Sequence, residues 1–230
     1  MEDPVSLTHK LVVEMVGTFY FMFVGFGITL TNIQSENGVA PPAIAIVWGL
    51  IVVALVYCLG HISGGHFNPV VIITQSLARR IPKTQVPIYI LAQHIGSKLA
   101  FDALKFIFGE KESRFLIGLP ADSNLQAFLM EFIITFFLML ILSRVSTSNR
   151  AIGELVGFAV GTTIILSMLF VGPFTRAAIR ASMNPTERLS STIVHHEYKD
   201  LESPILGTLA GSLTYTFFIF TNKLFSSYSS

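Results

Sequence analysis

The sequence predicts an all-α membrane protein with six transmembrane helices plus two re-entrant half-helices in an inverted repeat. Three observations lead to this fold class. The composition is strongly apolar, two Asn-Pro pairs each follow a long apolar stretch, and the residue pattern of the first half returns in the second. We expect one domain over residues 1–230, with halves at about 10–108 and 126–222, a short polar N-terminus and a serine-rich tail.

The composition restricts the classes of protein to which the chain can belong. Hydrophobic residues make up 52% of it and charged residues 13%, with a mean hydropathy of +0.65, whereas soluble domains carry about 25% charged residues. The net charge of +1 and the scarcity of basic runs argue against a nucleic-acid partner. A single cysteine, Cys58, excludes an internal disulfide framework and a cysteine-based metal site. We expect neither a metal nor a cofactor.

Six apolar stretches are candidates for membrane spans, although the last is shorter than the ~20 residues that a helix needs to cross the hydrocarbon. They cover residues 11–30, 43–59, 86–108, 127–142, 155–171 and 204–220. The first is preceded by a short polar head, so we expect a signal-anchor span and no cleavable signal peptide. In the third, Lys98 and Asp102 lie four residues apart on one helix face. We expect them to pair, with a proton relay as the alternative.

Two loops contain the sequences HISGGHFNPV, at residues 61–70, and SMNPT, at residues 182–186. Asparagine is a favoured N-cap, and proline is well tolerated in the first turn of a helix. Asn68-Pro69 and Asn184-Pro185 therefore predict the starts of two short helices, one over about 70–77 and a more polar one within 172–199.

An internal repeat relates the two halves of the chain. Four residues of the first span return 117 positions later in the fourth, where Glu14, Thr18, Phe19 and Met22 become Glu131, Thr135, Phe136 and Met139. Each half is predicted to hold three spans and one half-helix, and an odd number of spans inverts the second half in the bilayer. Inverted repeats whose broken helices meet near the midplane are a transport architecture.

These motifs resemble the aquaporin, or major intrinsic protein, family over nearly the whole chain. GHISGGHFNPV is similar to that family's first pore loop and SMNP to its second, and VWGL with Trp48, followed by LVYCLGHIS, resembles the plant nodulin-26-like subfamily. The resemblance implies a passive channel rather than an enzyme, carrying water or small uncharged solutes such as glycerol, urea, ammonia, boric acid or other metalloid acids. It also implies homo- or hetero-tetramers in the lipid bilayer with one pore per protomer.

The centre of such a pore would lie between the two half-helix N-termini, whose positive dipole ends oppose cations and protons. Asn68 and Asn184 would donate N–H groups to a passing oxygen and break a proton wire, unless they serve only as N-caps. The other expected members of this site are the motif residues Pro69, Val70, Pro185 and Thr186 and the carbonyl acceptors of Gly64, Gly65 and His66.

Two carboxylates lie inside apolar spans, where an ionisable group is costly and by default functional. Glu14 and Glu131 are repeat-related, and the resemblance implies that each accepts hydrogen bonds from backbone N–H groups of a pore loop. The alternative is that these side chains snorkel to the membrane interface.

The resemblance also implies a narrow outer constriction, formed here by Trp48, Met168, Ala181 and Glu187. The family normally places an arginine directly after Asn-Pro-Ala, where this chain has Glu187. A carboxylate accepts hydrogen bonds and attracts cations, whereas arginine donates and repels them. Arg188 follows one place later, about 100° further around a helix.

Two further hypotheses follow from this departure. The first is a pore-impaired or regulatory member acting in mixed tetramers, because of Glu187 and a lengthened loop at 172–183 that contains Arg176 and Arg180. The second, an intramembrane enzyme or ion-coupled transporter, would need clustered nucleophiles or more midplane charges, and none stands out. We expect a multi-pass protein of the plasma membrane or an endomembrane with cytoplasmic termini, although lysine and arginine are divided almost evenly between the two faces.

Overall fold

The computed structural model describes residues 5–36, 38–113, 124–146, 155–171, 183–195, 206, 208–214 and 217, and in this part of the chain the secondary structure is helical. The helices are α1 (Leu7–Gln34), α2 (Pro41–Ser63), α3 (Pro69–Leu77), α4 (Val86–Phe108), α5 (Glu110–Ser113), α6 (Asn124–Ser146), α7 (Val156–Val171) and α8 (Pro185–His195). A 3-10 turn, Lys83–Gln85, precedes α4, and residues 208–214 form a further helical segment.

The helix boundaries show where local capping extends an apolar stretch. α4 begins and ends where the sequence predicts, with Gly109 as its C-cap. α1 starts four residues before the apolar run because the Ser6 side chain accepts a hydrogen bond from the backbone N–H of His9 at 3.3 Å. α2 continues to Ser63, where Gly64 adopts a φ of 98° that favours glycine. Eight of the 17 residues of the predicted sixth span lie outside the described residues, and the nine that are described are helical.

Length and hydropathy identify membrane-spanning candidates among the described helices. Three are long and apolar enough to cross a bilayer, namely Leu7–Gln34, Pro41–Ser63 and Phe128–Val145 within α6, and α7 is a shorter apolar helix. α4 is as long as α2, but it carries Lys98, Asp102 and Lys105.

The helices of the two halves pack against each other. α1 lies against α2 and α4, while α7 lies between α2 and α6, and both half-helices, α3 and α8, contact α4. The backbones of α2 and α7 are in contact at Gly49 and Gly161, where a Cβ atom on either glycine would overlap the backbone of the other. A Cβ on Gly96 would likewise overlap the carbonyl of Met15, so α1 and α4 are also in backbone contact.

Each half-helix is also held by the opposite half of the chain. The Thr74 hydroxyl in α3 hydrogen-bonds the Ser212 hydroxyl at 2.6 Å. In α8, the Ser190 hydroxyl hydrogen-bonds Nδ1 of His94 in α4 at 3.1 Å. Thr74 and Ser190 are each the sixth residue after the asparagine of their motif. The two contacts between the halves therefore come from repeat-related positions.

Candidate functional site

The two Asn-Pro motifs meet through a reciprocal pair of hydrogen bonds. Asn68 Nδ2 donates to the carbonyl oxygen of Met183 at 2.7 Å, and Asn184 Nδ2 donates to the carbonyl oxygen of Phe67 at 3.0 Å. Both asparagines are buried, 8% and 1% exposed, and both lie in the wall of a cavity between the halves. The motifs are therefore joined directly to each other.

The same two side chains cap the half-helices that follow them. Asn68 Oδ1 accepts from the backbone N–H of Val70 at 3.0 Å, and Asn184 Oδ1 accepts from the backbone N–H of Thr186 at 3.1 Å. Capping thus uses the amide oxygen, whereas the contact across the cavity uses the amide nitrogen. Because an amide nitrogen carries two hydrogens, the bond to a carbonyl does not exhaust its capacity to donate. Capping and solute contact are compatible roles for these residues.

The residues before the two asparagines adopt an uncommon backbone conformation. Phe67 has a φ of 48° and Met183 a φ of 45°, in the left-handed region that non-glycine residues rarely occupy. Their carbonyl groups are the acceptors for the opposing asparagines. Such a conformation costs on the order of 1–3 kcal/mol and persists where the surroundings fix it. Sequence reasoning did not identify Phe67 and Met183, although their position directly before each Asn-Pro pair is the signal that could have found them.

Glu14 lies beneath the first loop and orients its backbone. Oε1 accepts from the backbone N–H of His66 at 3.0 Å and lies 3.1 Å from His66 Nδ1, which donates to it in the Nδ1–H tautomer. Oε2 accepts from the backbone N–H of Phe67 at 2.8 Å and from Nε2 of Gln93 at 2.9 Å. The carboxylate is 0% exposed, so it is buried in the protein and does not snorkel. Gln93, a buried amide in an apolar span, is a further member that the sequence reasoning missed.

Glu131 occupies the corresponding place beneath the second loop. Its Oε2 accepts from the backbone N–H of Met183 at 3.0 Å and from the hydroxyl of Thr208 at 3.3 Å, and the residue is 2% exposed. Glu131 thus contacts the residue that precedes the second asparagine, as Glu14 contacts the residue that precedes the first. The two glutamates that repeat in the sequence therefore make equivalent hydrogen bonds in the fold.

The cavity brings together predicted site residues from both halves. Among the residues that line it are Gly64, Gly65, His66, Asn68, Asn184, Trp48, Met168 and Glu187. Apolar side chains of α2, α6 and α7, including Val52, Leu138 and Ile164, form much of the remaining wall. The lining described does not include Glu14, Glu131, Pro69, Val70, Pro185 or Thr186, which support the cavity from behind. The predicted site therefore divides into wall residues and supporting residues.

Three of the four residues predicted for the outer constriction are described, and all three line the cavity. Trp48 is 3% exposed and packs edge-on against the rings of Phe21 and Phe26, each with a centroid distance of 5.0 Å. Met168 is 7% exposed and Glu187 5%. Ala181 lies outside the described residues. An indole, a thioether and a carboxylate therefore share this wall.

The electrostatics of the cavity follow from the two helices that begin there. α3 starts at Pro69 and α8 at Pro185, so their first turns flank the joined asparagines. The N-terminus of a helix carries roughly +0.5 of an elementary charge. Two such ends in one cavity oppose the passage of cations. Glu187, in the first turn of α8, brings the opposite charge to the same wall.

Comparison with known proteins relates the chain to a single family. The Major intrinsic protein family matches residues 2–217. The chain is 44% identical over 224 residues to Aquaporin NIP1-1 of Oryza sativa subsp. japonica, covering 95% of this chain and 77% of that protein. It is also 44% identical over 223 residues to Nodulin-26 of Glycine max, covering 95% and 81%.

The fold has a solved counterpart. The structure of the aquaglyceroporin from Plasmodium falciparum matches with a TM-score of 0.74 at 22% identity, covering 93% of this chain and 95% of that chain. At this identity the likeness concerns the fold alone, and it confirms the aquaporin-like all-α membrane architecture that the sequence predicts. Together with the family match over nearly all residues, it shows that this chain belongs to the major intrinsic protein family.

Proposed function

We propose that this channel conducts small uncharged solutes and water passively along the cavity between its two half-helices. A major intrinsic protein is an integral multi-pass membrane channel for water and small solutes, and not an enzyme. The observation that carries the proposed route is the reciprocal hydrogen bonding of Asn68 and Asn184 across the cavity. It fixes two amide donors and two helix N-termini at one point of the wall.

The chemistry of the wall suits a neutral solute that carries oxygen. A passing oxygen accepts from the amide N–H groups of Asn68 and Asn184, and the carbonyl groups of Gly64, Gly65 and His66 are the proposed acceptors along the first loop. A water molecule held with its oxygen toward these donors points its hydrogens away, so a continuous chain of proton-donating waters is interrupted. The positive helix ends raise the energy of a cation at the same point.

The choice among solutes depends on the outer part of the wall. Trp48 and Met168 offer apolar surface, while Glu187 offers an acceptor for hydroxyl or amide hydrogens. We propose that polyhydroxylated and amide-bearing neutral solutes, such as boric acid, glycerol and urea, pass in addition to water. The names of the related structure, an aquaglyceroporin, and of the plant aquaporins are in keeping with this range.

A pore-impaired channel in mixed tetramers is not favoured. That hypothesis depends on Glu187 and the loop at 172–183, of which residues 172–182 lie outside the described part. Glu187 itself lines the cavity beside Asn184. We retain from the sequence the proposals that the chain forms tetramers, that its termini are cytoplasmic and that it resides in the plasma membrane or an endomembrane.

The proposed route can be tested by stopped-flow swelling of vesicles that contain the purified protein, under gradients of water, glycerol and boric acid. Asn68→Asp keeps an acceptor for the Val70 N–H but removes the donor to Met183 and adds a negative charge. We expect solute flux to fall about fivefold or more, since leaving the buried Met183 carbonyl without its donor costs about 1–3 kcal/mol. Asn184→Asp should have the same effect.

A matched control is available in the last turn of α1. Asn32 Oδ1 accepts from the backbone N–H of Val39 at 2.9 Å, and an aspartate preserves that bond. Asn32→Asp should therefore leave flux unchanged. Equal flux in Asn68→Asp, Asn184→Asp and Asn32→Asp would show that the joined asparagines do not line the route.

A further inference from the structure

The third predicted span carries an ion pair on its outer surface. In α4, Nζ of Lys98 lies 2.6 Å from Oδ2 of Asp102, and the two side chains are 47% and 43% exposed. The opposite face of the helix is buried, including Gln93, Ser97 and Phe101. The pair therefore points away from the protein interior.

The depth of this pair follows from its neighbour Ser97. The Ser97 hydroxyl donates to the backbone carbonyl of Thr186 at 3.3 Å, and Thr186 lies in the first turn of α8, beside Asn184. The half-helix N-termini of an inverted repeat meet near the bilayer midplane. Lys98 is also about 18 Å along α4 from Val86 and about 15 Å from Phe108, at 1.5 Å per residue. The ion pair thus lies close to the midplane.

The surroundings of the pair on this face are apolar. Leu91 is 55% exposed, Ile95 41%, Leu99 47% and Phe106 91%. Such apolar side chains are stable in contact with lipid. Charged groups in the hydrocarbon centre, by contrast, are costly and normally face protein or water. The Lys98 ammonium has three donors and uses one of them on Asp102, so the pair alone leaves polar hydrogens directed at lipid.

We propose that this face of α4 docks against the same face of a second copy of the chain. All copies insert with the same orientation, so a two-fold axis along the membrane normal brings two α4 helices side by side and parallel. The Lys98 side chain extends along the helix to Asp102 of its own copy, so the two charged groups lie at nearly one height. The ammonium of each copy then approaches the Asp102 carboxylate of the other. The four charges form one network in which each ammonium meets two carboxylates.

A second copy suits this face better than an unrelated helix because the surface is self-complementary. It carries one positive and one negative group, and a two-fold contact pairs each with its opposite. The surrounding stripe of exposed leucine, isoleucine and phenylalanine supplies matched apolar surface around the charges. A ring with four-fold symmetry uses head-to-tail contacts, so this two-fold contact is separate from the proposed tetramer and would join one ring to another.

The test uses disulfide cross-linking of the full chain in vesicles, in a Cys58→Ser background with Ile95→Cys as reporter. Residues at one height face each other across such an axis, so Ile95→Cys should form a cross-linked dimer. Lys98→Asp gives each copy two acidic groups and Asp102→Lys gives each copy two basic groups. Each variant alone should cross-link about tenfold less, because like charges then face each other.

Mixing the two variants distinguishes a charge contact from misfolding. Lys98→Asp and Asp102→Lys copies in the same vesicles have complementary faces, so heterodimer cross-links should return to the original level. Glu36, which is exposed in the turn after α1, supplies the control. Glu36→Lys changes the charge by the same amount as Asp102→Lys and should not change the cross-linked fraction. Absence of the Ile95→Cys dimer, or failure of the mixture to restore it, would overturn the proposal in favour of lipid or another protein on this face.

Discussion

The two half-pores differ in their walls although they share one supporting scaffold. In both, a buried glutamate holds the loop, a residue with positive φ precedes the asparagine, and the asparagine caps a helix and reaches across to the other loop. The sixth residue after each asparagine contacts the opposite half. Each of these features recurs at an offset of 116 or 117 residues.

The cavity wall differs between the halves at the second residue after each proline. In the first half that residue is Val71 and in the second it is Glu187, and both line the cavity. The residues before them, Val70 and Thr186, also differ, and the Thr186 hydroxyl donates to Asn184 Oδ1 at 2.6 Å. The positions that hold the loops are therefore the same in both halves, while this wall position differs. In the proposed route, the scaffold holds the loops in place and this wall position affects which solutes pass.

The largest expected effect breaks the shared scaffold. In Glu14→Gln the new amide has one acceptor oxygen, whereas both oxygens of Glu14 accept from donors. In either orientation its NH₂ group faces an N–H group. We expect a loss of about 3–5 kcal/mol in the free energy of unfolding, because buried donors lose their acceptor. Thermal unfolding in detergent micelles would measure it.

Glu131→Leu tests whether the two supports are equivalent. It removes the acceptor of the Met183 backbone N–H and of the Thr208 hydroxyl, so we expect a loss of similar size. Glu36, which is exposed between α1 and α2, is the control, and Glu36→Gln should melt as the wild type does. If Glu14→Gln also melted as the wild type does, the loop would not depend on this carboxylate. If only one of the two glutamates mattered, the comparison between the halves would fail.

The scaffold could be predicted from the sequence because its signals are local or repeated. Proline, asparagine and glycine mark the half-helix starts, and the recurrence of a glutamate in an apolar span identifies the two supports. The bounds of α4 were predicted correctly because Pro87 and Gly109 mark its ends. The bounds of α1 were too short because hydropathy does not detect a polar first turn capped by Ser6.

The partners of these residues could not be predicted because they are distant in sequence. Thr74 meets Ser212 across 138 positions, and Gln93 meets Glu14 across 79. Serine, threonine and glutamine in an apolar span predict that a hydrogen bond forms, but they do not identify the partner. The left-handed conformation of Phe67 and Met183 was equally hidden, since neither residue type favours it.

The second expected effect concerns the wall position at which the halves differ. Glu187→Val places the same residue type at position 187 as at the repeat-related position 71, and it removes an acceptor from the cavity. We expect the flux of boric acid and glycerol to fall about tenfold relative to water, because a hydrogen bond to a charged group is worth about 1.5–3 kcal/mol. Glu187→Gln keeps an acceptor oxygen and should lose less. Stopped-flow swelling with the three gradients gives this ratio.

Val71→Ile is the matched control at the repeat-related position. It adds one methylene without adding or removing a polar group, so any change in the flux ratio measures the effect of side-chain size alone and should be smaller than in Glu187→Val. An unchanged ratio in Glu187→Val would mean that solutes do not contact the carboxylate. Selectivity would then depend on Trp48 and Met168, and the difference between Val71 and Glu187 would have no effect on it.

The smallest expected effect lies behind the wall, where Thr186 has a hydroxyl bond that Val70 lacks. Thr186→Val retains the backbone hydrogen bond to Asn184 Oδ1 at 3.1 Å and loses only the hydroxyl bond at 2.6 Å. The two side chains are nearly equal in shape, so we expect a loss of about 1 kcal/mol. For a chain of this size this corresponds to roughly 2–4 °C in the unfolding temperature.

Val70→Thr, at a residue that is 0% exposed, adds a hydroxyl beside Asn68, which already caps α3. If that hydroxyl donates to Asn68 Oδ1, the new hydrogen bond offsets the cost of burying the hydroxyl. The first half then has the same cap bond as the second, with little change in the free energy of unfolding. Equal unfolding temperatures for Thr186→Val and the wild type would show that the hydroxyl bond of Thr186 contributes nothing to the stability of the second half.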